Sequence, residues 1–180
     1  PVKDAWNPGQ YEKFREEREA PGVDLLAEIE RGEFWRGIDL GCGTGELTAR
    51  VQRELGVQEM AGVDSSEAML SKAWMLERKG LSFERLGIEE FGIGTHGGEG
   101  ENDLIFLNAA IQWCGDHAGV IRRWFRALGK GGQLAIQMPA NHGYPTHVIA
   151  DQLGREEPFR SALGGVTRET TVRSPEWYAG

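Results

Sequence analysis

The chain has 180 residues, 39% hydrophobic and 27% charged, which suits a single soluble domain with a sizeable core. Its net charge is −8 with no run of unopposed Lys and Arg, so neither nucleic acid nor a membrane surface is an expected partner. No apolar run or charged leader points to a membrane or an export route, and Cys42 and Cys114 have neither disulfide nor metal spacing, so a cytoplasmic protein without a metal is expected.

In chain order, Tyr11 to Glu19 reads as a helix opened by Pro8 and Gly9, and Pro21 separates it from a second helix over Val23 to Arg31. Phe34 to Leu40 is an apolar run ending in glycines, as a buried strand would be. Leu47, Val51 and Leu55 recur at i, i+4, i+8, which predicts a helix packed on a sheet. Then come a strand over Met60 to Val63, a helix over Ser66 to Lys79 and a strand over Leu81 to Leu86. Gly92 to Gly100 reads as a surface loop. A strand over Leu104 to Leu107, a helix over Ala118 to Leu128 and a strand over Gln133 to Met138 follow, and the pattern weakens after Pro139 to one helix near Thr146 to Leu153. Alternating strands and helices predict an α/β fold, a Rossmann-like doubly wound parallel sheet.

The chemistry starts at Ile38-Asp39-Leu40-Gly41-Cys42-Gly43-Thr44-Gly45, a strand running through alternating glycines into a helix. Such glycines let a ligand approach the backbone, and the helix start offers unpaired N–H groups. The next strand ends at Asp64, a carboxylate placed to accept both hydroxyls of a ribose. A nucleoside cofactor is therefore expected. Glu46 stands where a dinucleotide fingerprint wants its third glycine, and Asp39 suits a cation better than a diphosphate. S-adenosyl-L-methionine, which carries an ammonium and a sulfonium and no phosphate, fits both positions.

Asp39 to Gly45 followed by Gly62-Val-Asp-Ser-Ser-Glu-Ala-Met-Leu70 resembles the class I methyltransferases. Trp6-Asn-Pro-Gly-Gln-Tyr11 with Phe14, Arg18, Pro21 and Asp24-Leu-Leu26 is similar to the start of trans-aconitate methyltransferases. So are Asn108-Ala-Ala-Ile-Gln-Trp113 with Asp116-His117, Gly131 to Pro139 with Asn141, and Pro145-Thr-His147. The resemblance implies that Asp39, Gly41 and Gly43 hold the methionine half of the cofactor and that Asp64 takes the ribose. It further implies that Ser65 and Met69 flank the adenine beside Ile88, that Asn108 lies near the amino-acid end or the methyl group, and that Tyr11 and Arg18 fold over the cofactor on one helix face.

The chain departs from this family at two places. Relatives carry an acidic residue for the adenine amino group where this chain has Gly87-Ile88, which leaves Glu89 as a substitute. The family's sheet has seven strands ending in a hairpin, and only five are legible here. The expectation is one domain over 1–180, with N-terminal helices at 1–31, a cofactor core at 34–139 and an incomplete substrate cap at 140–180. Lacking the C-terminal hairpin, the Gln133 strand would lie at an unprotected edge open to self-association.

The resemblance implies an O-methyltransferase that forms a methyl ester on a small anionic polycarboxylate, trans-aconitate above all. A carboxylate is already a nucleophile at neutral pH, so no catalytic base is expected; positioning is the mechanism. An anionic acceptor in an acidic chain calls for local cations: Arg18 first, then His117 and His147 beyond the fourth and fifth strands, with Trp113 as a pocket wall. The rivals are a methyltransferase of another acid, such as a malonyl carrier-protein thioester, and a cofactor-binding fragment without catalysis.

Overall fold

Five strands pair in the order β3-β2-β1-β4-β5, all parallel, in the computed structural model, which describes residues 15–93, 98–165 and 170–179, with side chains from 19 onward. The strands are β1 (Arg36–Leu40), β2 (Glu59–Asp64), β3 (Leu81–Arg85), β4 (Asn102–Asn108) and β5 (Leu128–Gln137). The helices are α1 (Arg15–Glu28), α2 (Glu46–Leu55), α3 (Glu67–Ala73), α4 (His117–Ala127), α5 (Pro145–Gly154), α6 (Phe159–Ala162) and α7 (Pro175–Ala179). Short 3-10 turns follow α3 at Trp74–Leu76 and β4 at Ile111–Trp113. The doubly wound α/β class and the parallel pairing are as the alternation predicted.

One core packs Leu26 and Ile29 of the N-terminal segment, Val51 and Leu55 of α2, and Leu70 and Ala73 of α3 against Met60, Phe83, Leu104 and Phe106 of the sheet. α4 buries Val120, Trp124 and Ala127. Trp124 is fully buried, and its indole N–H finds no acceptor among the described residues. Trp124→Ala is therefore expected to cost ~3–5 kcal/mol of unfolding free energy in urea titrations. Trp124→Phe should cost far less, because it also removes an unsatisfied buried donor. Equal losses for the two would contradict this packing.

The structure corrects several boundaries. The two N-terminal helices are one at the described residues: α1 runs through Pro21. An interior proline costs a helical hydrogen bond and crowds the carbonyl one turn back; the helix nonetheless continues, with Leu26 inside it and Ile29 just after it buried in the core. The helix expected over Ser66 to Lys79 shortens to α3 and its 3-10 turn. β5 starts five residues earlier than predicted, because Asn102 pairs with Leu128 and Leu104 with Gln133, so the glycine run between them is a bulge within the strand. Gln133 also donates to and accepts from the backbone of Glu30, at 2.9 Å each way.

β5 is an edge strand, as expected, and is half-buried over most of its length. The chain divides into two compact units, 1–137 and 138–180. The second contains α5, α6 and α7; α6 and α7 were not predicted. No described helix is long and apolar enough to cross a membrane.

Candidate functional site

The glycine loop is built by three left-handed residues and one carbonyl. Gly41, Gly43 and Gly45 have φ of 85°, 56° and 79°, a region L side chains avoid. The N–H groups of Gly41 and Cys42 both donate to the carbonyl of Val63, at 2.8 and 2.9 Å, which ties the loop to the end of β2. A Cβ on Gly41 would stand 2.6 Å from that of Ala110, and one on Gly45 at 2.6 Å from the Phe83 ring, so these two glycines serve close packing. A Cβ on Gly43 would meet only the Met69 methyl, at 3.2 Å.

Asp64 closes the loop. One of its oxygens accepts from the Gly43 N–H at 2.9 Å, the other from the Ser66 N–H at 2.8 Å, and Ser66 in turn caps α3 by accepting from Met69 N–H. The half-buried Asp64 thus joins Gly43 to the start of α3, and an acceptor-only carboxylate at the end of β2 beside the backbone of the glycine loop suits a ribose diol, so the residues present fit an adenosyl group. Asp39 lies beneath the loop, 2% exposed, and accepts from the Thr48 hydroxyl at 2.6 Å. Burial pushes its carboxyl up to about 7, aided by the nearby charge of Asp64 and opposed by the Thr48 hydrogen bond. Thr48 is a site residue that the sequence reading missed; its signal is a polar residue on the apolar face of α2.

Beside Asp64 a cavity of about 580 Å³ is lined by Ser65, Arg85, Leu86, Gly87, Ile88, Glu89, Glu90, Trp113 and Cys114. Three residues expected near the cofactor or acceptor, Ser65, Ile88 and Trp113, therefore share one wall system, and Met69 sits against the loop at Gly43. Burial pushes the Cys114 thiol up to about 12, with Glu89 adding to the shift and Arg123 opposing it, which leaves the thiol inert. Asn108 ends β4, and a Cβ on Gly22 of α1 would lie 3.0 Å from its amide group, so α1 passes directly over it. Nothing in the earlier reading singled out Gly22.

The other expected positions are less assembled. Tyr11 lies outside the described residues, and Arg18 is on α1 with its side chain outside them. His117 is in the first turn of α4, 4% exposed, and does not line the cavity. His147 is exposed on α5 of the second unit, and His142 precedes it. No group of three or more metal-ligating side chains occurs among the described residues.

A parallel 3-2-1-4-5 sheet, a glycine loop between its first strand and helix, and a carboxylate at the end of the second strand make this chain a class I S-adenosylmethionine-dependent methyltransferase domain. The family model described as "Methyltransferase domain" matches residues 35–160, and the chain belongs to that family. Among its relatives, the chain is 40% identical over 167 residues to the trans-aconitate 2-methyltransferase of Deinococcus radiodurans, covering 93% of this chain and 61% of that one. It is 35% identical over 177 residues to the protein of the same name from Rhizobium etli, covering 97% and 67%. A crystal structure of an S-adenosylmethionine dependent methyltransferase from Mesorhizobium loti superposes with a TM-score of 0.54 at 30% identity, covering 62% of this chain and 49% of that one. The chain thus spans 61% to 67% of the length of these two curated relatives.

Proposed function

We propose that this chain transfers a methyl group from S-adenosyl-L-methionine to a carboxylate oxygen of a small polycarboxylate, with trans-aconitate as the acceptor. The observation that carries the reading is the Gly43 N–H to Asp64 bond: it unites the glycine loop, the ribose carboxylate and the neighbouring cavity in one site. The names of the relatives supply the acceptor. When bound, the cofactor supplies an electrophilic methyl carbon on a sulfonium, and a carboxylate acceptor needs no base to attack it. The work left to the chain is to bind, align and exclude water. Asp64 would hold the ribose; Gly41 and Gly43 would present backbone to the methionine half; Asn108, covered by α1 at Gly22, would lie near the amino-acid end or the methyl group. Tyr11 and Arg18 complete the cover from the N-terminal segment, and His117, His147 and Trp113 remain candidates on the acceptor side. Self-association through the side of β5 that has no strand partner among the described residues belongs to the same proposal.

The test is turnover with methyl-labelled cofactor against a panel of small polycarboxylates and a malonyl thioester. Base-labile label on trans-aconitate is the expected result. Cofactor binding without label on any acid would overturn it in favour of a non-catalytic binder, and label on the thioester alone would assign another acceptor. In the same assay Arg18→Met is expected to raise KM for the acceptor several-fold at low salt, with the effect shrinking as ionic strength rises. Identical kinetics at low salt would remove Arg18 from the acceptor pocket.

A further inference from the structure

The stretch of β5 from Gln133 to Gln137 lies outside the cavity beside Asp64, yet it ends at the same edge of the sheet. Gln137 stands directly opposite Asn108, the last residue of β4. Along this edge the strand order places Asp64 on β2, the glycine loop on β1, Asn108 on β4 and Gln137 on β5, at about 4.8 Å per strand. Side chains alternate between the two faces of a strand. Gln133 reaches Glu30, and Ala135 packs against the core that holds Leu26 and Ile29, so Gln137 lies on the face that α1 covers. Asn108 is on that face too, beneath Gly22 of α1.

The backbone beside this pair is held in an unusual shape. Ala109 has a φ of 52°, and among the described residues it is the one left-handed residue that is not glycine. Its N–H donates to the Gln137 carbonyl at 2.9 Å, and its own carbonyl accepts from the Gln112 side-chain amide at 2.6 Å. The chain then turns toward β1, where Ala110 stands against Gly41, and away from β5. Such strain is kept where the surroundings fix a geometry that a site needs. The Gln137 side chain adds a second anomaly: its Oε1 is buried and has no donor among the described residues. A buried polar atom left without a partner is costly, so a ligand that supplies the missing hydrogen bond is favoured. A half-turn of the amide exchanges its oxygen with its NH2 group, so the same tip can meet an acceptor.

We infer that Gln137 is an acceptor-specificity residue: on the β5 side of Asn108 its amide NH2 donates to one carboxylate of the polycarboxylate, and so selects acids that carry that carboxylate. The inference rests on the function proposed above. That reading lays the cofactor across the ends of β2, β1 and β4, which leaves the end of β5 as the next place along the edge for the acceptor. The amide is neutral, so it holds a carboxylate through a short-range hydrogen bond, and salt screens that contact far less than the pull of a cation.

The test is calorimetric affinity of the full chain, loaded with S-adenosylhomocysteine, for trans-aconitate and for the three dicarboxylates that each lack one of its carboxylates. Gln137→Met keeps the length of the side chain and removes its donors. It is expected to weaken trans-aconitate and two of the dicarboxylates about tenfold or more, and to leave the third at its wild-type affinity. Gln137→Glu, of the same shape, should weaken the same three acids further by repulsion. The ratio of wild type to Gln137→Met should hold from low to high salt, unlike the ratio expected for Arg18→Met. Affinity for S-adenosylhomocysteine should be unchanged in both variants, which also shows that each is folded; if Gln137→Met is not, Gln137→Glu decides. Were Gln137 only a packing residue, all four acids would weaken together or none would, and either result overturns the inference. Failure of wild type to methylate any acid would sink the proposed function and this inference with it, whereas turnover by wild type with no selective loss in the variants sinks the inference alone.

Discussion

Asp64→Ala is expected to weaken binding of S-adenosylmethionine at least about tenfold, the loss anticipated when two hydrogen bonds to a charged acceptor, each typically contributing ~1.5–3 kcal/mol before solvent compensation, are removed. The geometry makes the effect larger than a ligand contact alone. The same carboxylate holds Gly43 through its N–H and the start of α3 through the N–H of Ser66, so the variant also releases the loop from the helix. Asp64→Asn separates the parts. Its single acceptor oxygen can keep one of the two N–H bonds but cannot serve both and the ribose, so its affinity should fall between wild type and alanine. Calorimetry on folded protein is the measurement, and unchanged affinity in Asp64→Ala would remove the residue from the ribose site.

Asp39→Asn should act with opposite signs on stability and on binding. Burial pushes the carboxyl of Asp39 up to about 7 in the folded chain, well above the ordinary aspartate range, so folding takes up a proton at pH values between the two. Stability is therefore expected to fall as pH rises from about 4 to 7 and to stay reduced above that, where the buried group must ionise. Asparagine can still accept from Thr48 and has no charge to bury. At pH 8 Asp39→Asn should melt higher than wild type, by an amount on the order of a few kcal/mol of unfolding free energy, and the two should converge toward pH 4. For the cationic cofactor the carboxylate beneath the loop is an attraction. Wild-type affinity should then rise through pH 7 with release of a proton, and the asparagine variant should bind several-fold more weakly with no such pH dependence. Parallel melting curves across pH for the two proteins would contradict the burial of a charged group here.

The frame of the site was legible in the sequence. Gly41, Gly43 and Gly45 between apolar β1 and periodic α2, with Asp64 ending the next strand, admit few geometries, and the parallel order follows from the alternation. Local rules failed where tertiary burial decided. Pro21 predicts a boundary, yet α1 continues through it, and Leu26 within the helix and Ile29 just after it are buried in the core. The apolar pattern starts the strand only at Gln133, whereas the glycines before it are a bulge inside β5, fixed by pairing of Leu128 to Asn102. Glu89 and Glu90 both line the cavity yet differ in partner, because the four-residue turn Gly87 to Glu90 folds the Glu90 carboxylate back onto the Gly87 N–H while Glu89 accepts from the Gly115 N–H, and no spacing rule reports that. α6 and α7 are four- and five-residue helices without a buried residue, so hydrophobic period had nothing to register.

The carbonyl of Val63 holds both Gly41 and Cys42, and it does so only because β2 lies beside β1 with Val63 opposite Leu40. A slip of one residue would turn that carbonyl and the Asp64 carboxylate to the wrong sides. The glycine-rich segment is therefore not a portable cassette. Grafted onto another scaffold without its neighbouring strand, it would lose both anchors, and a ligand would have to order the freed backbone at ~1–2 kcal/mol per residue. What recognises the cofactor is a pair of adjacent strands in fixed register, of which the loop is only the visible tip.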